Sequence, residues 1–224
     1  KINDKWSLFE VPTITGNMLK HCHFVGFVDY FKETNFRQNL TERALRYNAV
    51  RFGKGERDKK ADGKEVKLDD ESTIVENFAD ADIHGFLVPE TGVRRVSLVK
   101  TSFLLPTEDF IREVEGERLI SAVKHNRVDV NEKGAIGRGE ETAQMVITRE
   151  YASGLYGFSM VLDLGLVGVP QAMPIKNANK NQLNVTIDDA ERKERIKCAL
   201  KALIPMFSGY LGANLSRSFP AIKV

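Results

Sequence analysis

The chain has 224 residues, 42% hydrophobic and 29% charged, the balance of an ordinary folded domain, and no apolar run is long enough to span a bilayer. Its 33 basic and 31 acidic residues leave a formal net charge of +2, so overall charge makes no case for nucleic acid, and any such site has to come from local clustering. The two cysteines, Cys22 and Cys198, are far apart and lack a metal-ligand spacing, which excludes a disulfide framework and fits a reducing cytoplasm.

The chain opens at Lys1 and reads as a fragment, or the ordered part, of a longer protein. Residues 6–11 alternate like a short strand stopped by Pro12. Residues 13–17 form a turn with capping side chains, and an apolar-rich helix follows from Asn17 to Phe31. A second helix is expected over residues 41–50, with Thr41 as its cap. Residues 53–70 are rich in Lys, Asp and Gly and read as a mobile insertion or surface loop. A short helix is expected over 72–81, a strand over 94–105 stopped by Pro106, and a brief helix over 109–113. Residues 119–130 and 144–151 predict two strands, and the glycine-rich stretch 131–142 between them predicts a long, protruding hairpin tip. Residues 156–169 alternate as a strand, with Phe158, Met160, Leu162, Leu164 and Leu166 on one face. Residues 171–184 read as a polar loop. The last helix is capped by Asp188 or Asp189 and closed by Pro205, with Ile196, Ala199, Leu200, Leu203 and Ile204 as its apolar stripe. Helices and strands are interspersed without a regular βαβ alternation, so the fold class is α+β with a mainly antiparallel sheet.

Four polar clusters could carry chemistry. At the start of the first helix, Asn17, Lys20 and His21 share a face that Phe24 and Val28 continue into the core. With Thr15 they surround a helix N-terminus, where free amides and the dipole attract anions; the plain alternative is a capped helix with a solvated first turn. Arg94, Arg95 and Lys100 on one expected strand could hold successive phosphates, or simply protect an exposed edge by charge. Lys124, His125, Asn126 and Arg127 at the base of the hairpin offer donors to phosphate, 2′-hydroxyl or base edges, or are a polar strand end. Asn214, Ser216 and Arg217 lie in a small-residue turn that could bring amides to a phosphate, or form an ordinary helix exit. Catalytic patterns are poor: no HExxH, Walker loop, GxGxxG or nucleophile elbow is present. His21 and His23, two apart, point to different helix faces and make a weak metal pair.

These segments together resemble a known family. The string VPTITGNMLKHCHF at 11–24 is similar to that of the DevR-type members of the repeat-associated mysterious protein superfamily. So are ADIHGFL at 81–87, RRVS at 94–97, KHNRVD at 124–129, REYASGLYGF at 149–158 and GANLSRSFP at 212–220, in the family's order over nearly the whole chain. The likeness is greatest to the archaeal type I-A backbone subunits of CRISPR surveillance complexes (archaeal Cascade). The resemblance implies a modified RNA-recognition-motif (ferredoxin-like) antiparallel sheet, with residues 1–40 and 94–224 as the palm. A helical insertion at 41–93 would form fingers, and a long β-hairpin at 128–144 a thumb. It also implies a non-catalytic subunit that polymerises along CRISPR RNA, gripping its backbone and leaving the guide to pair with target DNA beside other complex subunits. Neither cofactor, metal nor membrane is implied. Carried over by position, Thr15, Asn17, Lys20 and His21 fall on the phosphate-gripping helix start, and Arg94 and Arg95 on the strand before the palm sheet. His125 and Arg127 fall at the thumb base, and Met145 past its tip as an apolar wedge. The family's first palm strand, and the residues that finish the sheet after Val224, are expected to be missing from this chain. An RNA-processing endonuclease of the same superfamily and a transcriptional regulator are the rival readings.

Overall fold

The computed structural model describes residues 11, 13–49, 52, 55–107, 121–127, 145–151, 155–177 and 182–207, with 121–127 and 145–151 as backbone. The strand expected at 6–11, the helix at 109–113, the hairpin tip at 131–142 and the turn holding Asn214, Ser216 and Arg217 lie wholly or almost wholly outside these residues.

Helix α1 (Gly16–Phe31) begins where its capping residue dictates. Thr15 is in extended backbone and its Oγ1 accepts the Met18 amide at 3.4 Å. Asn17 and His21 remain exposed, whereas His23, Phe24, Phe27, Val28 and Phe31 are buried, so one polar turn feeds an apolar face at the helical period. Thr41 also caps as expected, its Oγ1 accepting the Ala44 amide. The segment it opens, however, is a 3₁₀ turn, Glu42–Arg46, ended by Tyr47 in left-handed backbone at φ 56°.

Residues 53–70 correct the sequence reading most plainly. Instead of a loop they contain an antiparallel hairpin of β1 (Arg57–Lys59) and β2 (Glu65–Lys67). Val66 and Leu68 drop into a cluster with Phe52, Ile74, Phe78 and Phe86. Two buried side chains seat a hairpin whose remaining surface is charged, and average polarity conceals them. The helix expected over 72–81 is two, α2 (Glu71–Asn77) and α3 (Ala79–His84), because Phe78 between them is extended at φ −129°. Asp70 caps α2 by accepting the Ser72 and Thr73 amides.

The two long strands expected at 94–105 and 156–169 are broken into short pieces. The hairpin β3 (Phe86–Leu87) and β4 (Arg94–Arg95) comes first. β5 (Val99–Thr101) and β6 (Leu105–Pro106) then pair with later strands, namely β10 (Met160–Leu162) and β9 (Tyr156–Gly157) respectively. Between them, β7 (Ser121–Arg127) and β8 (Met145–Tyr151) form the expected antiparallel pair, in register from Ser121↔Tyr151 to Arg127↔Met145. Past β10 a 3₁₀ turn, Leu164–Leu166, takes over. Met160, Leu162 and Leu166 still pack on the core and Val161 is exposed, so leucines in a turn mimic a two-residue period. The supposed loop at 171–184 holds β11 (Ile175–Asn177) paired with β12 (Gln182–Leu183).

Asp188 caps α4 (Asp189–Lys201), accepting the Ala190 and Glu191 amides at 2.8 and 3.0 Å. Its inner face is Glu191, Arg195, Cys198 and Ala199, while Leu200 and Ile204 of the expected stripe are exposed. Buried charges have taken the place of the aliphatic residues. Pro205 does not close the helix; it lies in α5 (Leu203–Phe207), in a first turn that needs no amide hydrogen from it.

The fold is α+β, and among the described residues every sheet is antiparallel and two-stranded. The chain divides into two compact units, Thr15–Ser102 with Ser159–Val224, and Lys1–Ile14 with Phe103–Phe158. In the first, α1 presses Phe24, Phe27, Val28 and Phe31 against Ala79, Ile83, Leu98, Val99, Val167, Ala199 and Ala202. The second contains β6, β7, β8 and β9.

Candidate nucleic-acid interface

The first two turns of α1 and the β3–β4 hairpin enclose an open groove of about 470 Å³. Asn17, Lys20, His21 and Phe24 line one side, and Gly85, Phe86, Leu87 and Ser97 the other, with His84 and Arg95 at the edge of the buried interior. Two glycines permit this arrangement. At Gly16 a side chain would put a Cβ 2.5 Å from the Thr101 carbonyl oxygen, so the helix start could not lie against β5. Gly85 terminates α3 at φ +74°, and a Cβ there would stand 2.6 Å from the Ser97 nitrogen and 2.7 Å from the Arg95 oxygen.

Three of the four residues expected at the helix start do converge on this groove, and Thr15 caps the helix that carries them. Among the described residues no carboxylate holds the Lys20 ammonium, and the exposed His21 ring stacks on Phe24 with centroids 5.8 Å apart. The groove thus offers a cation, an imidazole, an amide side chain and a helix N-terminus in one place, a donor set suited to an anion.

The second cluster does not converge. Arg94 is exposed and lines a different groove with Val93, Val96, Gln171 and Ala172. Lys100 lies 4.0 Å from Asp163. Arg95, expected beside Arg94 on an exposed edge, is 4% exposed, because adjacent strand residues face opposite ways. All five of its guanidinium hydrogens are engaged: Nε donates to the Asp82 carbonyl, one terminal nitrogen to Glu71 and Val169, the other to Asp82 Oδ1 and Leu166. Arg195, fully buried, is bound the same way, to Glu191, Asp82 Oδ2 and the carbonyls of Val75 and Glu76. Glu71, Asp82 and Glu191 thereby join α2, α3, β4 and α4 into one buried ionic network. Acidic residues in a sequence read first as solvated surface; the one cue to this network is the four-residue spacing of Glu191 and Arg195 on a helix.

His125 and Arg127 lie on β7 and Met145 on β8, where Arg127 and Met145 are directly opposed in the ladder. Sequence reasoning overlooked His84, Gly85 and Ser97 as groove residues, since each is distant in sequence from the helix they meet. Among the described residues no group of three or more His, Cys, Asp or Glu side chains is placed to hold a metal ion, and no helix is long and apolar enough to cross a membrane.

The groove thus gathers a donor set suited to an anion on an α+β scaffold. Residues 1–224 match the family described as CRISPR-associated negative auto-regulator DevR/Csa2, and the chain belongs to that family. It is 66% identical, over its whole length, to a CRISPR-associated protein Cas7/Cst2/DevR of Methanocaldococcus jannaschii, covering 68% of that protein. A protein of the same description from Thermoproteus tenax is 34% identical over 96% of this chain and 60% of its own length. A CRISPR-associated aCascade subunit Cas7/Csa2 2 of Saccharolobus solfataricus is 28% identical over 96% of this chain and 63% of its own. The chain therefore spans roughly two thirds of the length of these relatives.

Proposed function

We propose that this CRISPR-associated chain is a non-catalytic, RNA-binding backbone subunit of a Cascade-type surveillance complex in the cytoplasm. It polymerises along the guide RNA and leaves the bases free to pair with target DNA. The observation that carries the proposal is the groove that gathers Asn17, Lys20 and His21 at a capped helix start, a donor set for sugar-phosphate backbone rather than for one base. Thr15 caps the helix that carries this surface, and Arg94 adds a separate contact from the neighbouring groove it lines. On this reading residues 1–40 and 94–224 contribute an RNA-recognition-motif-like palm and residues 41–93 the fingers. The hairpin carrying His125, Arg127 and Met145 is the base of a thumb over a neighbouring copy, and Asn214, Ser216 and Arg217 add a further phosphate contact. The naming of an archaeal relative as an aCascade subunit supports the assembly.

The family description as an auto-regulator favours a second reading, a regulator bound to duplex DNA. A competition experiment separates them. Full-length protein is titrated with single-stranded CRISPR repeat-spacer RNA against a duplex of the same sequence, and the RNA is inspected for cleavage. Preferential binding of intact RNA is expected. Preference for the duplex favours the regulator. A site-specific product that vanishes in His21→Ala or His125→Ala makes the protein an endonuclease.

A further inference from the structure

Two imidazoles meet beneath the groove. His23 of α1 and His84 at the end of α3 are both buried, with His23 Nδ1 2.9 Å from His84 Nε2. Their outer nitrogens each face a main-chain carbonyl: His23 Nε2 lies 2.9 Å from the Ala199 oxygen, and His84 Nδ1 3.2 Å from the Asp80 oxygen. A carbonyl oxygen only accepts, so each outer nitrogen needs a hydrogen to bond there, and the contact between the rings needs a third. Two neutral imidazoles bring two hydrogens. One of the three contacts is then unmade, with a lone pair facing either a carbonyl or the other ring's lone pair. A single added proton completes all three.

What opposes that proton is equally local. Burial holds His23 down to about 4. His84 lies well below the usual histidine range, through burial first and then the charges of His23, Lys20 and His21. The other titratable groups on the elements packed around the pair are engaged or distant. The Asp80 carboxylate is bound by the Thr41 amide and hydroxyl. Asp82, Arg95, Glu191 and Arg195 satisfy one another. The Cys198 thiol is pushed up to about 11 by burial and stays neutral. Glu194 pairs with Lys197, Lys201 sits over the Tyr30 ring, Lys193 pairs with Asp189, and Lys100 lies near Asp163. Arg94 is exposed on β4. Lys20, whose charge repels a proton on His84, also lines the groove, where a bound anion would offset that charge.

We propose that the His23–His84 pair takes up one proton when an RNA phosphate settles beside Lys20 and His21, completing its third hydrogen bond and coupling guide binding to pH. This rests on the reading of the groove as a phosphate site. His84 lines that groove, so the anion acts across a short path through low-dielectric protein, where charge interactions are strong. RNA affinity rises as pH falls, by at most about tenfold per pH unit for one proton.

The test is nitrogen NMR of full-length protein labelled in its histidine rings, near neutral pH, with and without a short single-stranded RNA. In the wild-type spectrum the two buried rings are identified by ring hydrogens that exchange slowly with solvent, and each is assigned by the resonances lost in His23→Gln or His84→Gln. Both rings are expected to be neutral without RNA, and one to become imidazolium on its addition. In parallel, RNA affinity is measured across pH, where His84→Gln is expected to lower the pH slope by about one proton. RNA binding with both buried rings still neutral overturns the proposal and leaves the groove reading standing. Failure to bind RNA at any pH overturns both. The wild-type spectra decide the matter even if the substituted proteins fold poorly.

Discussion

Replacing Arg95 by alanine removes a guanidinium whose five hydrogens bond Glu71, Asp82 and the carbonyls of Asp82, Leu166 and Val169. The two carboxylates stay behind at 7% and 0% exposure. Glu71 keeps the amides of Gln171 and Ala172, and Asp82 keeps Gly168 and Arg195. Part of the charge therefore remains solvated by the protein, but the balance of two guanidiniums against three carboxylates is lost. Removing one partner of a buried ion pair costs about 3–5 kcal/mol. For a chain of this size that corresponds to a fall in Tm of about 6–20 °C. Arg94→Ala, one residue away on the exposed face, should change stability by about 0.5 kcal/mol or less. Arg95→Lys should restore little of the loss, because an ammonium cannot span the same five acceptors. Thermal unfolding followed by circular dichroism measures all three. If Arg95→Ala melts with the wild type and loses RNA binding instead, the side chain faces RNA and the buried network is misassigned.

Gly85→Ala should destabilise by more than about 1 kcal/mol, since it combines positive φ with a Cβ against the Ser97 and Arg95 backbone; a wild-type urea midpoint would contradict that packing. The acid side of the stability profile has two opposed contributions. His23, lowered from 6.5 to about 4 by burial, contributes stability that is present above about pH 6.5 and is lost as pH falls toward 4, and His84 acts in the same direction. Asp80, raised from 3.8 to about 6 by burial, contributes the opposite: its stability is full below about pH 3.8 and lost as pH rises through 6. Denaturant melts between pH 7 and pH 4 should therefore show a steeper acid loss in Asp80→Asn than in the wild type, and equal slopes would refute the assignment. Thr15→Ala should cost about 0.5–1 kcal/mol, the low end for an N-cap because the bond to the Met18 amide is long at 3.4 Å.

How far the sequence could be read depended on the range of the interaction. Helix α1, its Thr15 cap and the division between Asn17–His21 outside and Phe24–Val28 inside are local facts of hydrogen bonding and period, and they were legible. So were the β7–β8 pair and the Asp188 cap. What escaped was decided between distant residues. Val66 and Leu68 are two apolar side chains in a charged stretch, and only the partner Phe52–Phe78–Phe86 cluster makes them core. Arg95 looks like surface until Glu71 and Asp82 meet it from helices α2 and α3. Period two over 160–166 cannot distinguish a strand from a strand followed by a 3₁₀ turn. One wall of the groove was visible in the sequence; the wall of Gly85, Phe86, Leu87 and Ser97 had no cue, because a groove between a helix and a hairpin belongs to neither.

The central claim, backbone gripping by the start of α1, is tested most directly by titrating wild type and Lys20→Ala with two unrelated guide sequences over a series of salt concentrations. Removing one phosphate-neutralising cation should weaken binding to both guides by about the same factor. It should also flatten the dependence of log affinity on log salt by about 1 unit or less. Loss confined to one guide sequence, or affinity and salt slope unchanged from the wild type, would place the RNA elsewhere on the protein.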